Sequence, residues 1–226
     1  MLKIAMAPQE IRGAAVMVWW AGDGAARVLA HDGPALLLER AVSPDGVVAM
    51  ARDGRDDEAL SRLCDAVAAL HRPRPDPPAG LQALRTRFED LAAMAGDDPR
   101  LEKGHRVAQT LLADPRDAVV LHGDVHHANV LDFGPRGWLA IDPNGLIGER
   151  AYDYANIFRN PDAETALAPG RLERRLASVC AHAGLEPARM KGWIIAHAAL
   201  STAWFIEDGR DPAWSFAVLE VALKDL

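Results

Sequence analysis

The chain has 226 residues, half of them apolar and a quarter charged, the balance of an ordinary globular protein with room for a sizeable core. Collagen-like, disordered and disulfide-scaffold chains are excluded. The 25 Lys and Arg against 32 Asp and Glu leave a formal charge of −7, which argues against nucleic acid as a partner and suits a cationic ligand, although solubility alone also accounts for it.

In chain order, residues 2–5 read as a short strand. Residues 9–20 are helical, with Ile11, Ala15, Val18 and Trp19 spaced for one face, and Gly22 and Gly24 end the helix. Two apolar runs, 26–30 and 35–38, form a hairpin around His31-Asp32-Gly33-Pro34. Strand, helix and hairpin are too little for a closed sheet domain. After Arg40 the composition changes. Residues 56–71 carry Leu60, Leu63, Val67 and Leu70 on one stripe, and the Pro-rich stretch 72–80 is an extended connector. Helices are expected over 81–95 and 99–112, and a short buried strand over 119–121. A second hairpin pairs 130–132 with 138–141 through 133–137, and residues 152–226 are mostly helical. Cys64 and Cys180 share no CxxC spacing and read as reduced thiols inside helices, which points to the cytoplasm. The longest apolar stretch, 14–21, falls short of the roughly 20 residues that cross a bilayer, so no membrane partner is expected. The opening MLKIAMAPQE lacks the apolar core of a signal peptide.

The chemistry is concentrated in LHGDVHHANVLDFGPRGWLAID, residues 121–142. Asp124 leaves a strand into a loop, where a carboxylate can accept the proton of a substrate hydroxyl. Asn129 offers a carbonyl oxygen five residues on, and Asp142 sits at the end of the returning strand. A hard cation such as Mg²⁺ is held by one or two such oxygens together with nucleotide phosphates. One base and two oxygen ligands around a hairpin are the working parts of a phosphoryl-transfer site. Read singly, each residue has a plainer role: Asp124 and Asn129 as turn residues, Asp142 as the start of a turn before Pro143, Lys3 as a terminal lysine, and Glu10 as a first-turn glutamate. The joint spacing with His122, Gly123 and His126 outweighs these. The same histidines with Asp124 could instead serve a His/Asp metallo-hydrolase, but the order H-x-D-x-H-H does not match the HxHxDH arrangement.

HGDxHHxN followed by IDPxGLxGExxYDxAN resembles the aminoglycoside phosphotransferase family, within the protein-kinase-like fold. The closer likeness is to its streptomycin 6-kinase branch, grouped with hydroxyurea-type antibiotic resistance kinases. It runs over most of the chain, including EIRGAAVMVWWAGDGAARVLAHDGPALLLERA and LRTRF. The resemblance implies an α+β fold: a partial N-terminal β lobe with hinge over 1–42 and a mainly helical C-terminal lobe over 43–226. It implies ATP and Mg²⁺ as cofactors, Asp124 as catalytic base, and Asn129 and Asp142 as metal ligands. Lys3 resembles the strand lysine that meets nucleotide phosphates, and Glu10 its helix partner. The stretch Leu38-Glu39-Arg40-Ala41 resembles the hinge, with Glu39 and Ala41 meeting adenine through backbone groups. His126 lies near the path of the transferred phosphoryl group, His122 packs the loop, and His127 is read as solvent-facing. Asp153 would hold the catalytic loop from the following helix.

The implied reaction is phosphorylation of an aminoglycoside hydroxyl, most like streptomycin, giving antibiotic resistance. Rival readings are a kinase of another small alcohol and a kinase-like protein without turnover. The second follows from the position of Lys3, which leaves no room ahead of it for the strands and Gly-rich loop that cover the phosphates, unless the start lies upstream of Met1. The substrate pocket is expected from the C-terminal helices. Glu207 and Asp208 at the end of a helix over 193–206, and Trp204, are candidates for it, against a plainer reading of Trp204 as core and Glu207-Asp208 as a solvated helix end.

Overall fold

A computed structural model describes residues 1–224. It begins with β1 (Leu2–Ile4), α1 (Pro8–Trp20), β2 (Val28–Asp32) and β3 (Ala35–Leu38). The strands form an antiparallel sheet in the order β1-β3-β2, with Leu2 opposite Leu37 and Lys3 opposite Leu36. Strand side chains alternate between faces, so the exposure of Leu2 and Ile4 on one face turns Lys3 to the other, toward α1. Pro8 opens α1, where its missing N–H costs nothing, and the helix stops at Ala21 in the left-handed conformation (φ 51°). Its buried face differs from the expected one: Val16, Met17 and Trp20 are buried, whereas Ile11 and Val18 are exposed. This helix is apolar nearly all round, so spacing alone does not choose a face.

Then come α2 (Gly46–Arg52), α3 (Asp56–Leu70), β4 (Gln82–Ala83), α4 (Leu84–Arg87), α5 (Glu89–Met94) and α6 (Pro99–Ala113). The α3 stripe Leu60, Leu63, Val67 and Leu70 is buried as its spacing requires. The Pro-rich connector is tied down: the Trp19 indole donates to the Pro75 carbonyl at 2.8 Å, and Arg74 donates to the Leu70, Ala69 and Asp23 carbonyls. The single helix expected over 81–95 is broken, because Gln82 and Ala83 pair in parallel with Leu146 and Ile147.

The remainder comprises β5 (Ala118–Leu121), β6 (Val130–Asp132), β7 (Trp138–Ala140), β8 (Leu146–Glu149), α7 (Tyr152–Ala155), α8 (Ala163–Ala166), α9 (Arg171–Ala183), α10 (Pro187–Glu207) and α11 (Ala213–Leu223). A second sheet runs β4-β8-β5, and β6 with β7 makes the two-stranded hairpin between them in sequence. The structure adds α2 and β8 to the expected elements. Helix α10 is the axis of the helical part, with every residue from Trp193 to Ala203 buried. It is apolar on all sides, as a central helix must be. Gly104 of α6 lets α10 come close, since a Cβ there would collide with Ala199. Side chains from α1, α3, the β6–β7 hairpin and α10 join one buried cluster. Cys64 and Cys180 are unbridged and buried in α3 and α9, and burial pushes the Cys64 thiol up to about 12. Among the described residues no helix is long and apolar enough to cross a membrane.

Candidate active site

The loop after β5 is shaped by a carboxylate from a distant element. Asp153 of α7 accepts the backbone N–H groups of His122 at 2.8 Å and Gly123 at 2.7 Å, and pairs with His71 Nε2 at 2.8 Å. Gly123 lies at φ +81°, where a Cβ would also press on the Leu146 side chain, so glycine is needed here. His122 is fully buried; its Nδ1 accepts the Asp124 N–H at 3.2 Å, which makes Nε2 the donor to the Ile141 carbonyl at 2.7 Å. His122 is therefore a brace between the loop and the strand that returns from the hairpin.

Those braces present Asp124. Its backbone carbonyl accepts Asn129 Nδ2 at 3.0 Å, and its carboxylate Oδ1 accepts Asn156 Nδ2 at 2.9 Å. The other oxygen, Oδ2, lies 3.8 Å from His126 Nε2, and the side chain is 41% exposed. Burial holds His126 below its usual value, against the opposing pull of Asp124. His127, expected in solvent, is instead fully buried with neither ring nitrogen partnered, and burial, with Arg175 next, keeps it neutral. The turn closed by Asn129 N–H on the His126 carbonyl has no periodicity from which that direction could be read. Among the described residues no group of three or more His, Cys, Asp or Glu is placed to hold a metal, so these histidines do not form the cluster a His/Asp metallo-hydrolase needs.

Across the hairpin Asn129 lies opposite Ile141, the neighbour of Asp142, and the Ile141 N–H donates to the Asn129 carbonyl at 2.9 Å. Asp142 occupies the left-handed region at φ 60°. Its Oδ1 takes Lys3 Nζ at 3.0 Å, and Lys3 also stands 3.8 Å from Glu10 Oε1. Glu10 anchors its other oxygen on the Met6 and Ala7 N–H groups, at 2.6 and 3.0 Å, which hold its carboxyl below the usual range. With Asn129 Nδ2 engaged, its Oδ1 is left for a ligand, and Asp142 keeps Oδ2. Amide and carboxylate oxygens are the donors that Mg²⁺ takes, so the residues fit that metal. Glu39 uses its side chain locally, accepting the Arg27 N–H at 2.6 Å and pairing with Arg136. The Glu39 N–H is also engaged, donating to the Arg27 carbonyl at 3.0 Å, so of its backbone groups the carbonyl is the one left toward a ligand.

A cleft of about 720 Å³ opens beside Asp124, lined by Asn156, Arg159, His197, Ser201, Trp204 and Asp208 among others. Trp204 thus belongs to the cleft wall as well as packing on the core; its indole donates to Asp90 at 2.8 Å and the Arg87 guanidinium lies over its ring at 4.6 Å. Glu207 is not part of the lining. Arg159 reaches the cleft with its guanidinium 4.7 Å over the Trp214 ring, and burial brings it down to about 10 against the pull of Asp124. Neither Arg159 nor His197 stood out in the sequence, because each sits in a helical run where apolar neighbours mask a cleft-facing position.

Residues 1–209 match the family described as aminoglycoside/hydroxyurea antibiotic resistance kinase. A streptomycin 3''-kinase of Klebsiella pneumoniae is 52% identical over 214 residues, covering 92% of this chain and 80% of that protein. A streptomycin 6-kinase of Streptomyces griseus is 32% identical over 227 residues, covering 92% and 71%. Among solved structures, the aminoglycoside phosphotransferase APH(3'')-Id from Streptomyces rimosus superposes with a TM-score of 0.59 at 18% identity, over 88% of this chain and 84% of that one. A choline/ethanolamine kinase family protein from Mesorhizobium loti gives 0.66 at 18%, over 98% and 80%. At such identity the structures establish the fold, an α+β protein-kinase-like one. The sequence matches go further: the chain belongs to the aminoglycoside/hydroxyurea antibiotic resistance kinase family and is a small-molecule kinase acting on a hydroxyl.

Proposed function

We propose that this protein transfers the γ-phosphoryl group of ATP to streptomycin, at the 3'' position, in the cytoplasm where ATP is held. The observation that carries the reading is the Asp124 carboxylate, one oxygen fixed by Asn156 and the other open toward His126 and the cleft. The choice of position rests on the higher identity with the streptomycin 3''-kinase than with the 6-kinase.

Asp124 orients the acceptor hydroxyl and takes its proton as the oxygen bonds to phosphorus and ADP departs. Asn156 fixes the direction of that carboxylate, and Asp153 fixes the loop beneath it, so geometry is set before substrate arrives. Mg²⁺, bound with the nucleotide at Asn129 and Asp142, supplies charge neutralisation at the phosphates. Lys3, between Glu10 and Asp142, turns its ammonium to the phosphates, and the Glu39 and Ala41 backbone meets adenine. His126, neutral through burial, adds a hydrogen-bonding group beside the transferred phosphoryl without repelling Mg²⁺.

Asp124→Ala tests the base directly. Streptomycin-dependent ATP consumption is expected to fall by about 10²–10⁴-fold, the usual worth of a general base, with a cooperative unfolding transition retained and lowered only by the Asn156 amide that loses its acceptor. Turnover at the wild-type rate would remove Asp124 from that role. NMR of the wild-type product locates the phosphate, and phosphate at position 6 would overturn the 3'' assignment.

A further inference from the structure

The cleft wall that includes Asp124 also contains one stripe of α10 continued onto its capping residue, Asp208. His197, Ser201, Trp204 and Asp208 follow at i, i+4, i+7 and i+11, the spacing that keeps side chains on one helix face, and all four line the cleft. They are graded by depth. His197 is 4% exposed and Ser201 2%, Trp204 is half-buried, and Asp208 is exposed at the mouth. Chemistry changes along the same line, from neutral polar groups at the floor, through an aromatic ring, to a carboxylate at the rim.

The floor histidine has a defined hydrogen-bonding sense. Its Nδ1 is sealed from solvent with no partner, while Nε2 is not sealed in this way. A neutral imidazole carries its proton on one nitrogen only. An N–H buried without an acceptor is a worse orphan than a buried lone pair, so Nδ1 is the bare nitrogen and Nε2 carries the hydrogen. Burial, reinforced by Arg159 and Arg87 beside it, prevents a second proton from adding. The Tyr152 ring at 5.6 Å and the Trp204 ring at 6.5 Å confine the imidazole from two sides. His197 is thus a fixed, uncharged N–H donor.

We propose that His197 Nε2–H and the Ser201 hydroxyl read a hydroxyl or carbonyl oxygen of the acceptor substrate at the cleft floor, while Asp208 meets one of its cationic groups at the mouth. The substrate then enters oxygen-rich end first, which delivers a hydroxyl to Asp124 and leaves a cationic group at Asp208, with Glu89 and Asp90 also in the lining against Arg12, Arg87 and Arg210. This assignment of specificity residues rests on the aminoglycoside reading above.

Steady-state kinetics on the full chain test it, with streptomycin as acceptor and ATP-Mg²⁺ saturating. His197→Phe keeps a ring and deletes the donor; its KM for streptomycin is expected to rise at least tenfold with kcat changed less than threefold. His197→Gln, whose Nε2 can replace the donor, recovers most of the loss. Ser201→Ala raises KM in the same way without changing the volume of a ring, which covers the case of a His197 variant that fails to fold. Asp208→Asn raises KM at low salt and loses its effect at high salt, whereas the His197→Phe effect does not depend on salt. An unchanged KM in both His197→Phe and Ser201→Ala overturns the proposal, as does a salt-independent Asp208→Asn. A wild-type chain that phosphorylates another aminoglycoside but not streptomycin overturns the streptomycin assignment alone, and the same comparisons then decide the proposal on that substrate. A wild type that phosphorylates no aminoglycoside overturns both.

Discussion

At the scale of single residues, one carboxylate organises the site without facing the cleft. Asp153 is fully buried and accepts three donors: two loop N–H groups and His71. Asp153→Ala strands all three, and each orphaned buried donor costs about 1–3 kcal/mol, so a large fall in the urea midpoint is expected. His71→Phe removes one donor and leaves the backbone pair, so the midpoint should fall by only about 1 kcal/mol equivalent while kcat drops more than KM rises. His71→Gln, which keeps an N–H, should restore kcat; a Gln variant no better than Phe would show that His71 only fills space. The spacing of Asp124, Asn129, Asp142 and Asp153 was legible because these residues fall within one continuous motif. Lys3 was not legible alone: a lysine near a terminus looks like any solvated lysine. Only the pairing of β1 with β3 brings it to a carboxylate 139 residues away. The inward turn of His127 was hidden for the opposite reason, since an irregular loop carries no period.

At the scale of elements, α3 and α9 are joined by a buried ion pair. The Arg175 guanidinium, fully buried, donates from Nε and Nη2 to both oxygens of Asp56 at 3.0 and 2.8 Å, and from Nη1 to the Ile157 and Asn160 carbonyls. This pair holds the segment after α7, and with it Asn156, against the helical body. Asp56→Ala leaves the guanidinium buried without its counter-ion, so urea unfolding should show a loss of about 3–5 kcal/mol. A loss below about 1 kcal/mol would mean that the Ile157 and Asn160 carbonyls already satisfy the guanidinium. In sequence Asp56 is an ordinary acidic residue in the first turn of a helix, which the dipole favours at the surface. Periodicity gave α3 and its stripe correctly, since charged residues on the opposite face fix the orientation. It failed for α1, where apolar residues surround the axis. It failed again across 81–95, where pairing of two residues with β8 outweighs local helix preference.

At the scale of the whole molecule, burial of histidines links stability to pH. His127 and His197 are both held well below their usual value, chiefly by burial. The unfolded chain protonates each near pH 6.5 and the folded chain does not, so their contribution is complete above that pH and is lost as pH falls below it. The slope is at most about 1.4 kcal/mol per histidine per pH unit, reached once the pH is below the unfolded value. Urea titrations at pH 7, 6 and 5 should show this decline, and His127→Leu should reduce it. Stability that stays flat over that range would mean that both histidines charge within the fold, and a halved slope that one does.

The sequence by itself determined the α+β class and the family, and it marked the segment proposed to carry the chemistry. Those depend on residue types at short, fixed separations, which a linear chain displays directly. The tertiary structure decided which face of α1 is buried, how Lys3 comes to stand between Glu10 and Asp142, and which side of α10 becomes the wall of the cleft. Those depend on what packs against each element. In a helix such as α10, buried on all sides, the polar residue that faces a cavity looks in sequence like one that faces the core.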